Sequence, residues 1–358
     1  MVTFNIPEPA VALGSWVVVT GVSGLVGSHV ADQALQAGYK VRGTTRSRGK
    51  NSWTEEYFQP KYGSENFELV EVPDMAAKGA FEKVVAGASG FIHIATDTIG
   101  SNDAHLGIPK VVDAAINAIE AAAKEPNMKR FVYTSSSFAA TFPSPYRRIV
   151  ITQETFNGEA VKRAWLPDPE GDVVYAASKV EAERRITAWV KENRPGLVVN
   201  MVIVHKNPQS IACLLMRTVL PNANIGPIIS SAHQGYPTSS QWVKALCGAD
   251  YDADFKVPAQ HFVNVQDDAR LHCIALAHPS VESERIFAVA GPVKSNAIID
   301  ILIRHFPQKG YKHVLDDDDD LVVFEPTQRA EKLLVEVYGT GFASLEESVL
   351  ANAAGLGN

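Results

Sequence analysis

Thr20-Gly21-Val22-Ser23-Gly24-Leu25-Val26-Gly27-Ser28-His29-Val30 is the stretch on which the reading of this chain turns. It directly follows an apolar, β-rich run, Trp16-Val17-Val18-Val19-Thr20, and opens a helical stretch. In that context one glycine permits a tight turn, a second lets a phosphate approach the backbone, and a third lets helix and strand pack closely. The helix that begins there has N–H groups without intrahelical partners, and they favour an anion. Gly21, Ser23, Gly24, Leu25, Val26 and Gly27 are therefore the expected cradle for the pyrophosphate of a dinucleotide.

Working outward, further β-rich runs lie at 39–43, 67–70, 90–94, 131–134 and 197–203, separated by amphipathic stretches such as 109–124 and 176–191. Apolar strands joined by helix-length connections build a parallel sheet covered on both faces. The expected fold is α/β, a doubly wound Rossmann-type sheet with a smaller C-terminal substrate-binding lobe. From about Gly226 the rhythm loosens, 261–265 and 285–290 read as strands, and 328–350 reads as helical around Gly339-Thr340-Gly341. The expected division is an NADP-binding domain of 1–225 with 263–291, and a lobe of 226–262 with 292–358 over the sheet edge where ligands bind.

The end of the second strand selects the dinucleotide. An acid there accepts from the ribose hydroxyls of NAD, yet the chain has no acid between Asp32 and Glu55. Arg42, Arg46, Arg48 and Lys50 stand there instead. A guanidinium pairs with a 2′-phosphate and a carboxylate repels it. NADP(H) is the expected cofactor, with Arg46 facing the phosphate and Lys50 near it.

Composition narrows the partners. Of 358 residues, 33 are Lys or Arg and 40 are Asp or Glu, for a net charge of −7. Five of the acids form one run at 316–320, so the rest of the chain is nearly balanced and offers no basic field for nucleic acid. That run lacks the spaced ligands and glycine of a calcium loop and reads as a solvated segment. No apolar run reaches the roughly 18 residues of a membrane span. Three scattered cysteines, Cys213, Cys247 and Cys273, give no metal-site spacing and suit a reducing compartment. With no positively charged start before an apolar run at the N-terminus, a cytoplasmic protein without a metal is expected.

Tyr175-Ala176-Ala177-Ser178-Lys179 begins a long helical run. Residues four apart share a helix face, so phenol and ammonium can enter one site, where the cation favours phenolate and readies the tyrosine for proton exchange. Tyr57 and Lys61 repeat the spacing, but Pro60 between them argues against a shared helical face. The strand at 131–134 ends in Thr134-Ser135-Ser136-Ser137, which places hydroxyls at the ligand edge. His93, in an apolar strand, reads as a hydrogen-bonded core residue.

These features resemble the extended short-chain dehydrogenase/reductases, in the branch of dihydroflavonol-reductase-like and fungal NADPH-dependent aldehyde and ketone reductases. The resemblance also rests on Val41-Arg42-Gly43-Thr44-Thr45-Arg46, Pro73-Asp74-Met75, His93-Ile94-Ala95-Thr96 and Phe262-Val263-Asn264-Val265-Gln266-Asp267. It implies Ser136, Tyr175 and Lys179 as the catalytic set and Arg46 at the 2′-phosphate. It further implies Asp74 and Met75 at the adenine, Ala95 and Thr96 near the nicotinamide ribose, and Thr134, Tyr175, Lys179 and Pro221 along the cofactor. The activity implied is reduction of a small-molecule aldehyde or ketone carbonyl, by a monomer or homodimer.

The chain departs from that family after the run at 197–203. The family's Leu-Pro-Asn follows its strand directly, whereas Leu220-Pro221-Asn222 arrives here only later. Excising 203–219 restores the pattern in one join, so those 17 residues read as an insertion, of a length an in-frame retained intron would have. Two alternatives share the fold. A nucleotide-sugar epimerase or dehydratase holds NAD tightly, and the missing acid speaks against it. A non-catalytic NADP sensor has no need of Ser136, Tyr175 and Lys179.

Overall fold

The structure, a computed structural model, describes residues 4–96, 102–193, 217–247, 255–282, 284–315 and 318–356. Its strands are β1 (Trp16–Thr20), β2 (Lys40–Thr45), β3 (Phe67–Glu71), β4 (Gly90–His93), β5 (Arg130–Thr134), β6 (Ile149–Ile151), β7 (Arg217–Pro221), β8 (Ala223–Ile225), β9 (Gln260–Asn264), β10 (Arg285–Ala288), β11 (Gly291–Val293) and β12 (Val322–Phe324). Its helices are α1 (Leu25–Gln36), α2 (Arg48–Asn51), α3 (Trp53–Tyr62), α4 (Ala104–Lys124), α5 (Gly158–Arg163), α6 (Gly171–Asn193), α7 (Ser231–Gln234), α8 (Ser240–Cys247), α9 (Val265–Ala277), α10 (Ser295–His305), α11 (Thr327–Tyr338) and α12 (Leu345–Ala353).

Among the described residues, seven parallel strands form one sheet in the order β3-β2-β1-β4-β5-β7-β10. Val17, Val18 and Val19 show why its strands read as unbroken apolar runs. Val17 and Val19 pack into the layer of α1 and α9, Val18 into the layer of α4 and α6, and all three are fully buried. Burial of each contributes about 1.5–3 kcal/mol. This is the doubly wound Rossmann-type architecture expected from the alternation. The strand order reverses between β1 and β4, which leaves a crevice at their carboxyl ends.

β8, β9 and β11 form a separate sheet. Its cluster includes Ile225, Phe262 and Val293 with Val243 and Leu246 of α8, Ile298 and Leu302 of α10, and Val349 of α12. β6 and β12 pair apart from both sheets.

Two expectations are corrected. The sheet position between β5 and β10 is held by Arg217–Pro221, so residues 217–219, assigned to the insertion, lie in the central sheet. Because Pro221 ends the strand opposite Ala288, only the residues just before it can reach that slot. The expected strand at 197–203 and residues 203–216 of the insertion lie outside the described residues. Secondly, α3 runs through Pro60, with Lys61 Nζ 5.4 Å from the Tyr57 ring centre. The helix ends two residues later, so proline removes a bond only in its closing turn. Lys61 nevertheless bonds to Asp32 Oδ1 at 2.7 Å and makes no second site.

Candidate active site

Thr20 ends β1 at the crevice and ties it to the neighbouring strand. Its hydroxyl accepts from the N–H groups of Ile94 and Ala95 at 2.8 and 2.9 Å. That contact brings the glycine turn against Ala95. Gly21 has φ +71°, and a Cβ there would lie 3.0 Å from the Ala95 Cβ. A Cβ on Gly27 would lie 2.1 Å from the Gly21 carbonyl oxygen. Helix and turn therefore approach as closely as backbone allows.

Gly24 caps α1 without a side chain, leaving the amides at Leu25, Val26 and Gly27 no side-chain cap. Such a helix start, in a cradle closed to any Cβ at two positions, fits a dinucleotide pyrophosphate. Ser23 stands beside it, and its carbonyl accepts from Gln234 Nε2 at 3.2 Å, as the Gly24 carbonyl does at 3.1 Å. His233 stacks on Trp53 at 5.3 Å. This crossing of α7 over the turn has no local signature, since its partners are more than two hundred residues apart.

The four cations after the glycine turn separate. Arg42 turns away, paired with Glu68 and donating to the Val84 and Ala86 carbonyls. Arg48 pairs with Glu55 at 3.0 Å. Arg46, the first residue past β2, and Lys50 in α2 are exposed. Asn51 braces this corner, donating to Thr45 Oγ1 and the Ser47 carbonyl.

Asp74, Met75, Ala95 and Thr96 line one cleft with His93 and Tyr133, of about 300 Å³ including its open mouth. Asn117 of α4 shapes it by donating to the Met75 and Ala76 carbonyls at 3.1 and 2.9 Å. His93 is fully buried, its Nδ1 3.3 Å from Thr20 Oγ1, and burial, helped by the nearby Lys179 charge, holds its imidazole down to about 3.

One turn of α6 separates Tyr175 from Lys179, and both side chains face the C-terminal ends of β4 and β5. Lys179 is 2% exposed and donates from Nζ to Thr96 Oγ1 at 2.6 Å and the Thr134 carbonyl at 2.9 Å. Its ammonium lies 5.3 and 5.8 Å from the Tyr133 and Tyr175 ring centres. Burial brings Lys179 down to about 7, with Glu183 opposing. Burial raises the Tyr175 phenol, and a hydrogen bond from Ser136 works the other way.

The hydroxyl run sorts by partner. Thr134 Oγ1 meets His272 Nε2 at 2.8 Å, Ser135 bonds to Glu183, Ser136 accepts from Phe138 N at 3.2 Å and meets Tyr175, and Ser137 Oγ has no partner among the described residues. Pro221 ends β7 on this same edge of the sheet. Sequence reasoning missed Glu183 and Arg285. A carboxylate four residues past Lys179, on the buried face of α6, is the signal that was available.

Residues 17–205 match the NAD dependent epimerase/dehydratase family. A NAD-dependent epimerase/dehydratase of Aspergillus terreus, terH, is 33% identical over 348 residues, spanning 94% of this chain and 95% of that protein. Aldehyde reductase 2 of Sporidiobolus salmonicolor is 34% identical over 342 residues, spanning 94% of each. Among solved structures, Gre2 of Candida albicans in complex with NADPH superposes with a TM-score of 0.79 at 24% identity, covering 96% of this chain and 99% of that one. That likeness shows the fold.

Proposed function

The chain belongs to the NAD dependent epimerase/dehydratase family, and from that membership we propose that it reduces an aldehyde or ketone carbonyl to the alcohol with NADPH. The carrying observation is the convergence of Ser136, Tyr175 and Lys179 at the crevice edge, beside Thr96 and within one sheet of the glycine turn. Support for NADPH comes from the lack of an acid after β2, from exposed Arg46, and from the aldehyde reductase and NADPH-complexed likenesses.

When bound, NADPH supplies the hydride. Gly21 to Gly27 and the start of α1 would hold its pyrophosphate, Arg46 its 2′-phosphate, and Asp74 and Met75 its adenine. Ser136 Oγ and the Tyr175 phenol bond to the carbonyl oxygen and polarise it. Tyr175, held protonated by burial, gives its proton to that oxygen as negative charge develops there. Lys179 orients the ribose from its anchor on Thr96 and stabilises the phenolate left on Tyr175. The lobe facing the substrate would be the β8-β9-β11 sheet with α8, α10 and α12, whereas α11 packs with α9 in the layer of the large sheet.

NADPH consumption measured across aldehydes, ketones and keto esters tests the reading. The native chain should consume NADPH, and Tyr175→Phe should lose about 10²–10⁴-fold in rate with cofactor binding kept. Binding of NADPH without consumption of any carbonyl would reject it.

A further inference from the structure

A polar row crosses the sheet beneath α6. His93 of β4 pairs in register with Tyr133 of β5, Tyr133 with Thr218 of β7, and Thr218 with Arg285 of β10. In-register residues of parallel strands face the same side, and here that side is covered by α6. Lys179 lies over Tyr133. One turn further along the helix, Glu183 lies against Arg285.

Glu183 is almost fully enclosed, its side chain 2% exposed. Arg285 Nε donates to its Oε2 at 2.9 Å and Nη2 to its Oε1 at 3.4 Å, and the Ser135 hydroxyl also bonds to Oε1. Arg285 is fixed independently, donating from Nη1 to the Gln153 and Thr155 carbonyls at 2.8 and 2.7 Å and lying 4.2 Å from the Phe156 ring centre. The carboxylate thus joins three things: a locked guanidinium, the residue next to Ser136, and the helix turn that carries Lys179.

We propose that Glu183 is a positioning residue for the reduction, holding the Ser135–Ser136 corner against α6 and placing a carboxylate behind the buried Lys179 ammonium. This rests on the reductase reading above. A tie between helix and sheet alone gives no reason for a carboxylate, because a well-packed apolar pair of similar volume serves as well or better. The titratable groups facing Lys179 among the described residues are His93 from β4, Tyr133 from β5, and Tyr175 and Glu183 from its own helix, with Arg285 behind. Glu183 is the carboxylate in that set, and it opposes the downward pull of burial on the lysine.

Glu183→Gln keeps an acceptor for Ser135 and removes the charge. The alkaline limb of carbonyl reduction should move down by about one pH unit, the smallest effect expected of a lost neighbouring opposite charge. The weakening of NADPH binding, followed by cofactor fluorescence, should be about fivefold greater at pH 8.5 than at pH 6, since one unit is tenfold in protonation well above the lysine's pKa and about twofold near it. This second readout needs no turnover, so a native chain that reduces no carbonyl defeats the reductase reading while binding still judges Glu183. Glu183→Gln with Arg285→Gln removes both charges and, where an uncompensated guanidinium unfolds the single variant, should show a smaller shift in the same direction, because loss of the more distant Arg285 cation partly offsets loss of the carboxylate. Ser135→Ala should lower kcat severalfold with the limb unmoved. Native pH behaviour in the glutamine variants, or loss of the fold in both, overturns the proposal in favour of a purely structural tie.

Discussion

Lys179 Nζ donates to Thr96 Oγ1 across 2.6 Å, joining the middle of α6 to the loop after β4, 83 residues earlier in the chain. Its other acceptor among the described residues is the Thr134 carbonyl. A buried ammonium thus depends on one side chain and one backbone oxygen for its placement. A hydrogen bond to a charged group is worth about 1.5–3 kcal/mol. Thr96→Val should therefore lower kcat/KM about 10–100-fold, read in steady-state kinetics with NADPH varied.

Burial of that ammonium has a thermodynamic cost, visible in the fall of Lys179 from 10.5 to about 7. Below pH 7 the folded chain bears the full cost. Between 7 and 10.5 the unfolded chain binds a proton that the folded chain does not, so stability rises with pH over that window. Lys179→Met should raise the thermal midpoint at pH 7 by several degrees, flatten its pH dependence between 7 and 9, and abolish turnover. Calorimetry beside an activity assay checks both parts.

His93 governs the acid side. Its imidazole stays neutral in the fold until about pH 3 but takes a proton at 6.5 when unfolded. The stability it carries is complete above 6.5 and is lost progressively as pH falls toward 3. His29, lowered chiefly by burial and bonded to the Pro227 carbonyl at 2.9 Å, acts in the same direction. The urea midpoint should fall from pH 7 to pH 5, and less steeply in His93→Gln.

The glycines of the turn should separate under substitution. Gly27→Ala places a methyl 2.1 Å from the Gly21 carbonyl oxygen, which forces α1 off β1. It should cost several kcal/mol, on the scale of severe overpacking, and abolish NADPH binding. At Gly24 the nearest atom to an added Cβ is that same oxygen at 3.4 Å, and φ is −86°. Gly24→Ala should leave the melting temperature within a few degrees and perturb only cofactor affinity. Paired melting curves and fluorescence titrations distinguish the two.

Arg46→Ala should weaken NADPH by about tenfold or more, the worth of a charge-assisted phosphate contact, while leaving NADH unchanged. The ratio of the two dissociation constants, measured at fixed ionic strength, is the deciding number. Equal losses for both cofactors would place the 2′-phosphate elsewhere.

Short-range relations were legible in the chain. Gly21 to Gly27 follow a strand and open a helix within eleven residues, and Tyr175 and Lys179 are separated by one turn, so local periodicity alone brings each group together. The Ser135–Glu183–Arg285 network spans strands whose pairing emerges only when the sheet closes, and no spacing rule connects its members. The contact of Gln234 with Ser23 and Gly24 is of the same kind. At β7, two apolar runs competed for one slot, and the fixed place of Pro221 opposite Ala288 decides between them. At Pro60, a rule for helix interiors was applied near a helix end, where it has little force.

Thr218 stands three residues before Pro221, opposite Tyr133 on one side and Arg285 on the other, while Val219 faces the aliphatic layer of α9. Extra length ahead of Arg217 adds little closure entropy, since that cost grows only with the logarithm of loop size. A single residue gained or lost between Thr218 and Pro221 is another matter, because it would rotate every side chain of the strand to the wrong layer. Tolerance of insertion and intolerance of frameshift in register thus lie side by side, and the boundary between them falls at the first residue of β7.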